Sequence, residues 1–508
     1  MLFNSAIFLF AFLPLTLIGF HAAGRLGRSA QVGTLLFASV FFYAWWNPPY
    51  LLLLSASICL NYALGRKMVE SADCRGLMVA GVALNLGLIA YFKYAGFLAS
   101  NANALFGESF LPLPEILLPL GISFFTFQQI AYLVEIRRGG PAERSFLRYA
   151  LFVSFFPQLV AGPIVQYRNL GPQLAALGRR SLTAENMSVG LAIFIVGLFK
   201  KVVIADNLAA FVGPTFDSGA ELDFLQAWGA VLAYTFQIYF DFSGYSDMAI
   251  GLGRMFGIVL PLNFASPYKA SSIIEFWRRW HITLSRFLAE YLYIPLGGNR
   301  RGEPRRFVNL MVTMLLGGLW HGASWTFVLW GGLHGLLLGL NHLLHRLLPH
   351  RDTTARRWRW SGWLATFLCV AVAWVFFRAD TTGRALDILA AMAGGNGIAV
   401  PWALLDRIGS LGDRMAALGV ASGSVPPWTF ILNYLWIAAA MGIAFFMPNT
   451  GQLFAPYGGD DAGWKLVRDR PRARTWRPTR GWALAVALLA ALSLLSLSSP
   501  TEFLYFNF

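Results

Sequence analysis

Apolar segments long enough to cross a bilayer, or nearly so, follow one another through nearly all of this 508-residue chain, at about 6–23, 31–46, 49–65, 76–97, 116–136, 187–206, 224–240, 308–326, 327–345, 361–378, 429–447 and 481–498. A helix needs about 20 apolar residues to span the hydrocarbon, and backbone in lipid must satisfy its own hydrogen bonds, which restricts such segments to helices or closed barrels. These runs have helical length, and the joins between them are too short for soluble domains. The expectation is an all-α polytopic membrane protein, with a single integral membrane domain over 1–508. Only 13% of residues are charged, against about 25% in soluble domains, and mean hydropathy is +0.56. Two shorter apolar stretches interrupted by Pro or Gly, at about 148–166 and 242–260, read as re-entrant or cavity-lining helices, because irregular backbone at membrane depth needs protein or water around it.

Net charge is +15, but the basic residues sit in short loops between apolar runs. That pattern sets orientation and contacts anionic lipid; it is not a nucleic-acid surface. Arg300, Arg301, Arg305 and Arg306, then Arg346 to Arg359, then Lys465 to Arg480 read as cytoplasmic, and the charge-balanced 381–428 segment as periplasmic. The first apolar run has no basic residues before it and no A-x-A site after it, so it reads as an uncleaved span. Cys59, Cys74 and Cys369 form neither a CxxC motif nor a disulfide framework.

Within the 308–326 span lies Trp320-His321-Gly322. An imidazole is costly at membrane depth, so an intramembrane ionisable group is a functional-site hypothesis by default. Gly318 and Gly322 form a small-xxx-small pair that allows close approach of a helix or substrate, which makes Trp320 and Ser324 candidate substrate-binding neighbours. Thirteen residues in from the cytoplasmic end of that span, or roughly 20 Å at about 1.5 Å per residue, His321 would lie past the midplane.

Pro267 to Leu292 is less membrane-like. Ser272-Ile273-Ile274-Glu275 reads as a capping box, Glu275 and Arg279 as i,i+4 partners, and Arg278, His281 and Ser285 as one polar flank of a helix. One reading is an interfacial amphipathic helix with Arg and Trp anchors. The other puts His281 at the mouth of a cavity, with Arg278 and Arg279 drawing in an anionic donor. Asp241 to Asp247 follows an apolar run directly, placing Asp241, Tyr245 and Asp247 near membrane depth. With no His or Cys beside them, hydrogen bonding and cavity lining are expected there, and no metal. Gln128, Tyr132 and Glu135 share one helical face suited to a bundle interior. His334 reads as packing, on another face from His321, and His342, His345 and His350 read as interfacial.

Taken together, Phe276-Trp277-Arg278-Arg279-Trp280-His281-Ile282-Thr283-Leu284-Ser285, Tyr291-Leu292-Tyr293-Ile294-Pro295-Leu296-Gly297-Gly298 and Gly318-Leu319-Trp320-His321-Gly322 resemble the membrane-bound O-acyltransferases, in particular the bacterial alginate O-acetylase branch. Tyr91-Phe92-Lys93-Tyr94, Phe156 to Ile164, Asp241 to Asp247 and Ala373 to Asp380 extend the likeness over most of the chain. The resemblance implies a helical bundle around a tunnel, with re-entrant and amphipathic helices and the family's two histidine positions at His321 and His281. It implies transfer of an acyl group from a cytoplasmic donor, acetyl-CoA, to an acceptor at the outer face of the bacterial inner membrane. It also implies periplasmic acetyltransferase partners that complete transfer to a polysaccharide, and no bound cofactor. Chemically, His321 would take a proton from an acceptor hydroxyl and His281 would orient the donor. Related cargoes, such as D-alanyl for teichoic acid or acetyl for peptidoglycan or cellulose, fit the same motifs. A transporter without chemistry fits less well, because there is no inverted repeat and the histidine is buried.

Overall fold

In a computed structural model the chain is mostly helical, with two three-residue strands among the described residues. The structure describes residues 1–71, 73–107, 110–114, 116–178, 183–347, 356–423, 425–468, 474–497 and 503–504. His350 lies outside them, as does most of the basic loop around it. The main helices are α1 (Phe8–Leu26), α2 (Arg28–Ala44), α3 (Pro48–Glu70), α4 (Cys74–Phe106), α5 (Ile122–Arg137), α6 (Phe146–Ser154), α7 (Ala184–Phe216), α8 (Phe224–Met255), α9 (Ile273–Arg279), α10 (Ile282–Leu288), α11 (Gly302–His321), α12 (Trp325–Leu347), α13 (Arg356–Arg378), α14 (Pro427–Phe446) and α15 (Arg480–Leu495). Among the described residues, seven helices are long and apolar enough to cross a membrane: α1, α3, α4, α7, α12, α13 and α14. They turn side chains such as Leu15, Ile18, Leu52, Leu84 and Leu340 outward, as lipid allows and water does not.

Local chemistry sets the helix ends. Gly27, at φ +118°, separates α1 from α2, a backbone state glycine adopts without penalty. Asp73 accepts from the Gly76 N–H at 2.8 Å and caps α4. Pro48 and Pro49 open α3, where a missing N–H is harmless. The backbone widens to π-helical geometry at Phe8–Phe12, Ala90–Tyr94, Lys200–Ala205 and Ala289–Tyr293, and such insertions concentrate at functional sites. Two of these, at Ala90–Tyr94 and Ala289–Tyr293, coincide with stretches on which the family likeness rests.

Two compact units alternate along the chain. The first comprises Met1–Leu198, Gly244–Asn263 and Thr450–Phe508, the second Phe199–Ser243 and Phe264–Asn449. In the first unit the expected break at 242–260 is absent as far as Met255, because α8 continues straight through it. Its glycines serve contact there: a Cβ on Gly251 would lie 2.6 Å from the Gly190 carbonyl oxygen of α7. The 148–166 stretch is broken as expected, with α6 ending at Ser154 and a single short turn at Phe156–Leu159.

The second unit holds α9 to α14. Its 381–428 segment is folded, with a capped helix at Thr382–Met392 and a parallel pair of three-residue strands, β1 (Ala399–Pro401) and β2 (Ala421–Gly423). The core of this unit is aromatic: the Trp374 indole N–H donates to the Tyr268 hydroxyl at 3.1 Å, which donates to the Thr235 carbonyl at 2.6 Å.

Candidate active site

The segment expected as one amphipathic helix is two helices with a sharp joint. Ser272 caps α9 by accepting from the Glu275 N–H at 3.1 Å, while the Glu275 carboxylate turns back to Ser271 rather than to the cap. α9 ends at Arg279, Trp280 is extended, and His281 has φ +41° and ψ +55°. Among the described residues only His281 and Ser266 are non-glycine with positive φ. That state is strained for a side chain of this size, and such strain persists where surrounding structure enforces it. The restraint is visible: the Ala265 N–H donates to the Arg279 carbonyl at 2.9 Å, and Arg279 Nη1 donates to the Ser266 carbonyl at 3.2 Å.

The joint turns His281 inward. It is fully buried rather than at a cavity mouth, with its ring edge-on to Phe242 of α8 at 4.8 Å and 6.3 Å from Trp320. Arg279 is also turned in and pairs with Glu275 at 2.6 Å, the expected i,i+4 bridge. This arrangement corrects its assignment as an anion attractor, since its guanidinium is committed within the fold. Arg278 is exposed. Glu275 lies outside the seven spans. Burial pushes its carboxyl up, but Arg279 and two Ser271 donors outweigh that and hold it at about 2.

The second histidine is placed by a helical hairpin. α11 does not run on through 326; it stops at His321, and Gly322, Ala323 and Ser324 form the turn into α12. Counted from Gly302, His321 is the last of 20 helical residues, about 30 Å along the axis at about 1.5 Å per residue. Close approach of the two helices requires glycine: a Cβ on Gly318 would fall 2.2 Å from the Phe327 carbonyl oxygen. Ser324 Oγ lies 3.1 Å from Thr326 Oγ1 and accepts from the Thr326 N–H, so it serves the turn.

His321 is 4% exposed within an aromatic wall: Trp320 at 4.9 Å, Trp330 at 5.1 Å and Phe377 at 5.2 Å between ring centroids. Trp320 thus touches both histidines. Trp330 in turn lies 4.8 Å from His334, so the hairpin brings His334 into the same aromatic cluster as His321. A single continuous helix would have kept them on different faces. His342 contacts Arg306 Nη2 at 2.8 Å.

Residues 84–381 match the sequence model of MBOAT, the membrane-bound O-acyltransferase family. The chain belongs to that family. Similar proteins include the peptidoglycan O-acetyltransferase of Helicobacter pylori, 40% identical over 100% of this chain and 98% of that protein. The probable alginate O-acetylases AlgI of Pseudomonas putida (42% identical over 83% of this chain and 86% of that protein) and Azotobacter vinelandii (39%, over 100% of each) are also similar. The protein is an acyltransferase and a multi-pass membrane protein.

Other polar residues singled out in the acyltransferase sequence have identifiable partners within their own units. Asp241 is in the second unit, and accepts from Lys201 Nζ at 2.5 Å; Lys201 also pairs with Asp206 at 2.9 Å. Lys201 is 2% exposed, and sequence reasoning passed it over although a lysine inside an apolar span was signal enough. Tyr245 and Asp247 lie in the first unit. Tyr245 sits between the Phe3 and Phe503 rings, and the Asp247 carboxylate accepts from the Thr450 hydroxyl at 2.6 Å. Gln128 and Tyr132 are buried in that unit, where the Tyr132 hydroxyl accepts from the Glu143 N–H at 3.0 Å. No group of three or more His, Cys, Asp or Glu suited to a metal ion occurs among the described residues.

Proposed function

We propose that the protein moves an acetyl group from cytoplasmic acetyl-CoA across the bacterial inner membrane for O-acetylation of an extracellular or periplasmic polysaccharide such as alginate. The observation that carries this reading is His321, buried at the end of α11 against Trp320, which also faces His281. The imidazole takes the proton of an acceptor hydroxyl, whose oxygen attacks the thioester carbonyl carbon. The C–S bond then breaks, its electron pair leaves on sulfur, and the imidazolium returns the proton to give a free thiol and an ester. The aromatic wall excludes water, which favours transfer over hydrolysis. His281 orients the reacting groups, and Trp320 and Ser324 border them. Arg278, the exposed arginine of α9, meets the phosphates of the donor.

Periplasmic acetyltransferase partners receive the group and complete transfer to the polymer. Peptidoglycan is a second acceptor reading, favoured by the Helicobacter pylori relative, whose name specifies it and whose match covers this chain from end to end.

The test is incubation of purified protein with labelled acetyl-CoA, with and without a candidate periplasmic partner. Label should appear on the partner or glycan, and mass spectrometry of the modified polymer should identify the acceptor. Export of intact donor with no thioester cleavage would favour transport instead.

A further inference from the structure

One imidazole of the second unit has no part in the mechanism above. His334 of α12 is fully buried, and its Nδ1 accepts a hydrogen bond from the Trp277 indole N–H at 3.2 Å. An indole nitrogen only donates, so Nδ1 must carry a lone pair and the ring hydrogen sits on Nε2. An imidazolium would set two donors against each other at that point. His334 is therefore held as a neutral Nε2–H donor, and that nitrogen meets no acceptor among the described residues.

One turn earlier on α12, the Trp330 indole N–H is also buried with no acceptor among the described residues. The two rings are 4.8 Å apart, and Trp330 lies 5.1 Å from His321. A buried unsatisfied donor costs roughly 1–3 kcal/mol, and such groups are rare enough to need a cause. Here two occur in adjacent side chains beside the proposed base. Both are donors, so the complementary ligand offers an oxygen able to accept two hydrogen bonds, as a carbonyl oxygen does.

We propose that His334 Nε2–H and Trp330 Nε1–H donate to the carbonyl oxygen of the acyl thioester and to the oxyanion formed from it. The inference rests on the assignment of His321 as the base. When the acceptor oxygen bonds to the acyl carbon, the C=O π pair moves onto oxygen and the two donors meet the developing charge. When the C–S bond breaks, that pair returns and the sulfur takes the proton held by His321. Trp277 is a positioning residue that fixes the His334 tautomer.

The test is steady-state turnover of labelled acetyl-CoA by purified full-length protein. His334→Asn keeps an acceptor for Trp277 but has no donor at the Nε2 position. Its kcat should fall roughly 10²–10³-fold, the usual effect of losing an oxyanion donor, with KM for acetyl-CoA within about threefold of wild type. His334→Gln restores an N–H near Nε2 and should recover about tenfold or more of that loss. Trp330→Phe keeps the ring and should also lose kcat. With His321→Ala inactive, wild-type kcat in both His334→Asn and Trp330→Phe would overturn the donor assignment alone; an active His321→Ala would instead overturn the base assignment beneath it. If His334→Asn does not accumulate folded, Trp330→Phe decides: reduced kcat supports the proposal, and unchanged kcat overturns it.

Discussion

Substituting two adjacent glycines of α12 separates hairpin geometry from helix propensity. A Cβ at Gly331 would sit 2.3 Å from the Met314 carbonyl oxygen and 3.2 Å from the Gly318 Cα, both backbone of α11. Real Cβ atoms essentially never approach within 3.0 Å, so Gly331→Ala must open the hairpin by about 0.7 Å (3.0 less 2.3). Neither obstructing atom belongs to a side chain that can swing aside. At Gly332 the Cβ would meet only the Leu315 Cδ2, at the ordinary distance of 3.4 Å. Both changes improve intrinsic helix propensity by up to about 1 kcal/mol. Gly332→Ala should therefore be neutral or stabilising. Gly331→Ala should lose about 1–3 kcal/mol through overpacking. Because α11 carries His321, a displacement approaching 1 Å should also slow turnover up to about 10²-fold. Thermal melts in detergent and acetyl-transfer rates on the same preparations measure both effects. Equal stability and equal rates in the two variants would refute the claim that the α11–α12 contact sets the position of His321.

Two other perturbations test restraints on the same unit. Lys201→Met leaves the buried Asp241 carboxylate beside the partly exposed Asp206 without their shared cation and should cost about 3–5 kcal/mol, whereas Asp241→Asn leaves Lys201 paired with Asp206 and should cost less; a double-mutant cycle on the melting temperature reads the difference. At His281, φ +41° is tolerated by Asn far better than by a β-branched residue. His281→Ile should thus be less stable than His281→Asn by about 1–3 kcal/mol, checked by chemical or thermal unfolding.

The positions of most spans were legible because hydropathy and length report them directly. Ser272 as a cap and the Glu275–Arg279 bridge were legible because both are local. The end of α11 at His321 was not, because apolar residues continue past it to Trp325; the only hint was the Gly322-Ala323-Ser324 turn chemistry. Nor does periodicity report the left-handed backbone at His281, which is imposed by the buried Arg279 and Ser266 contacts. The unbroken α8 ran against the usual reading of Gly244 and Gly251 as breakers, because at both positions close contact with α7 offsets the lost propensity. Lys201 and Asp241 lie 40 residues apart, a pairing that only the fold reveals.

The most direct measurement is single-turnover transfer from labelled acetyl-CoA by wild-type protein and His321→Ala, with donor binding measured on the same samples. The account predicts donor binding within a few-fold of wild type and loss of transfer by at least about 10²-fold. Transfer at the wild-type rate by a variant that lacks this imidazole would contradict it.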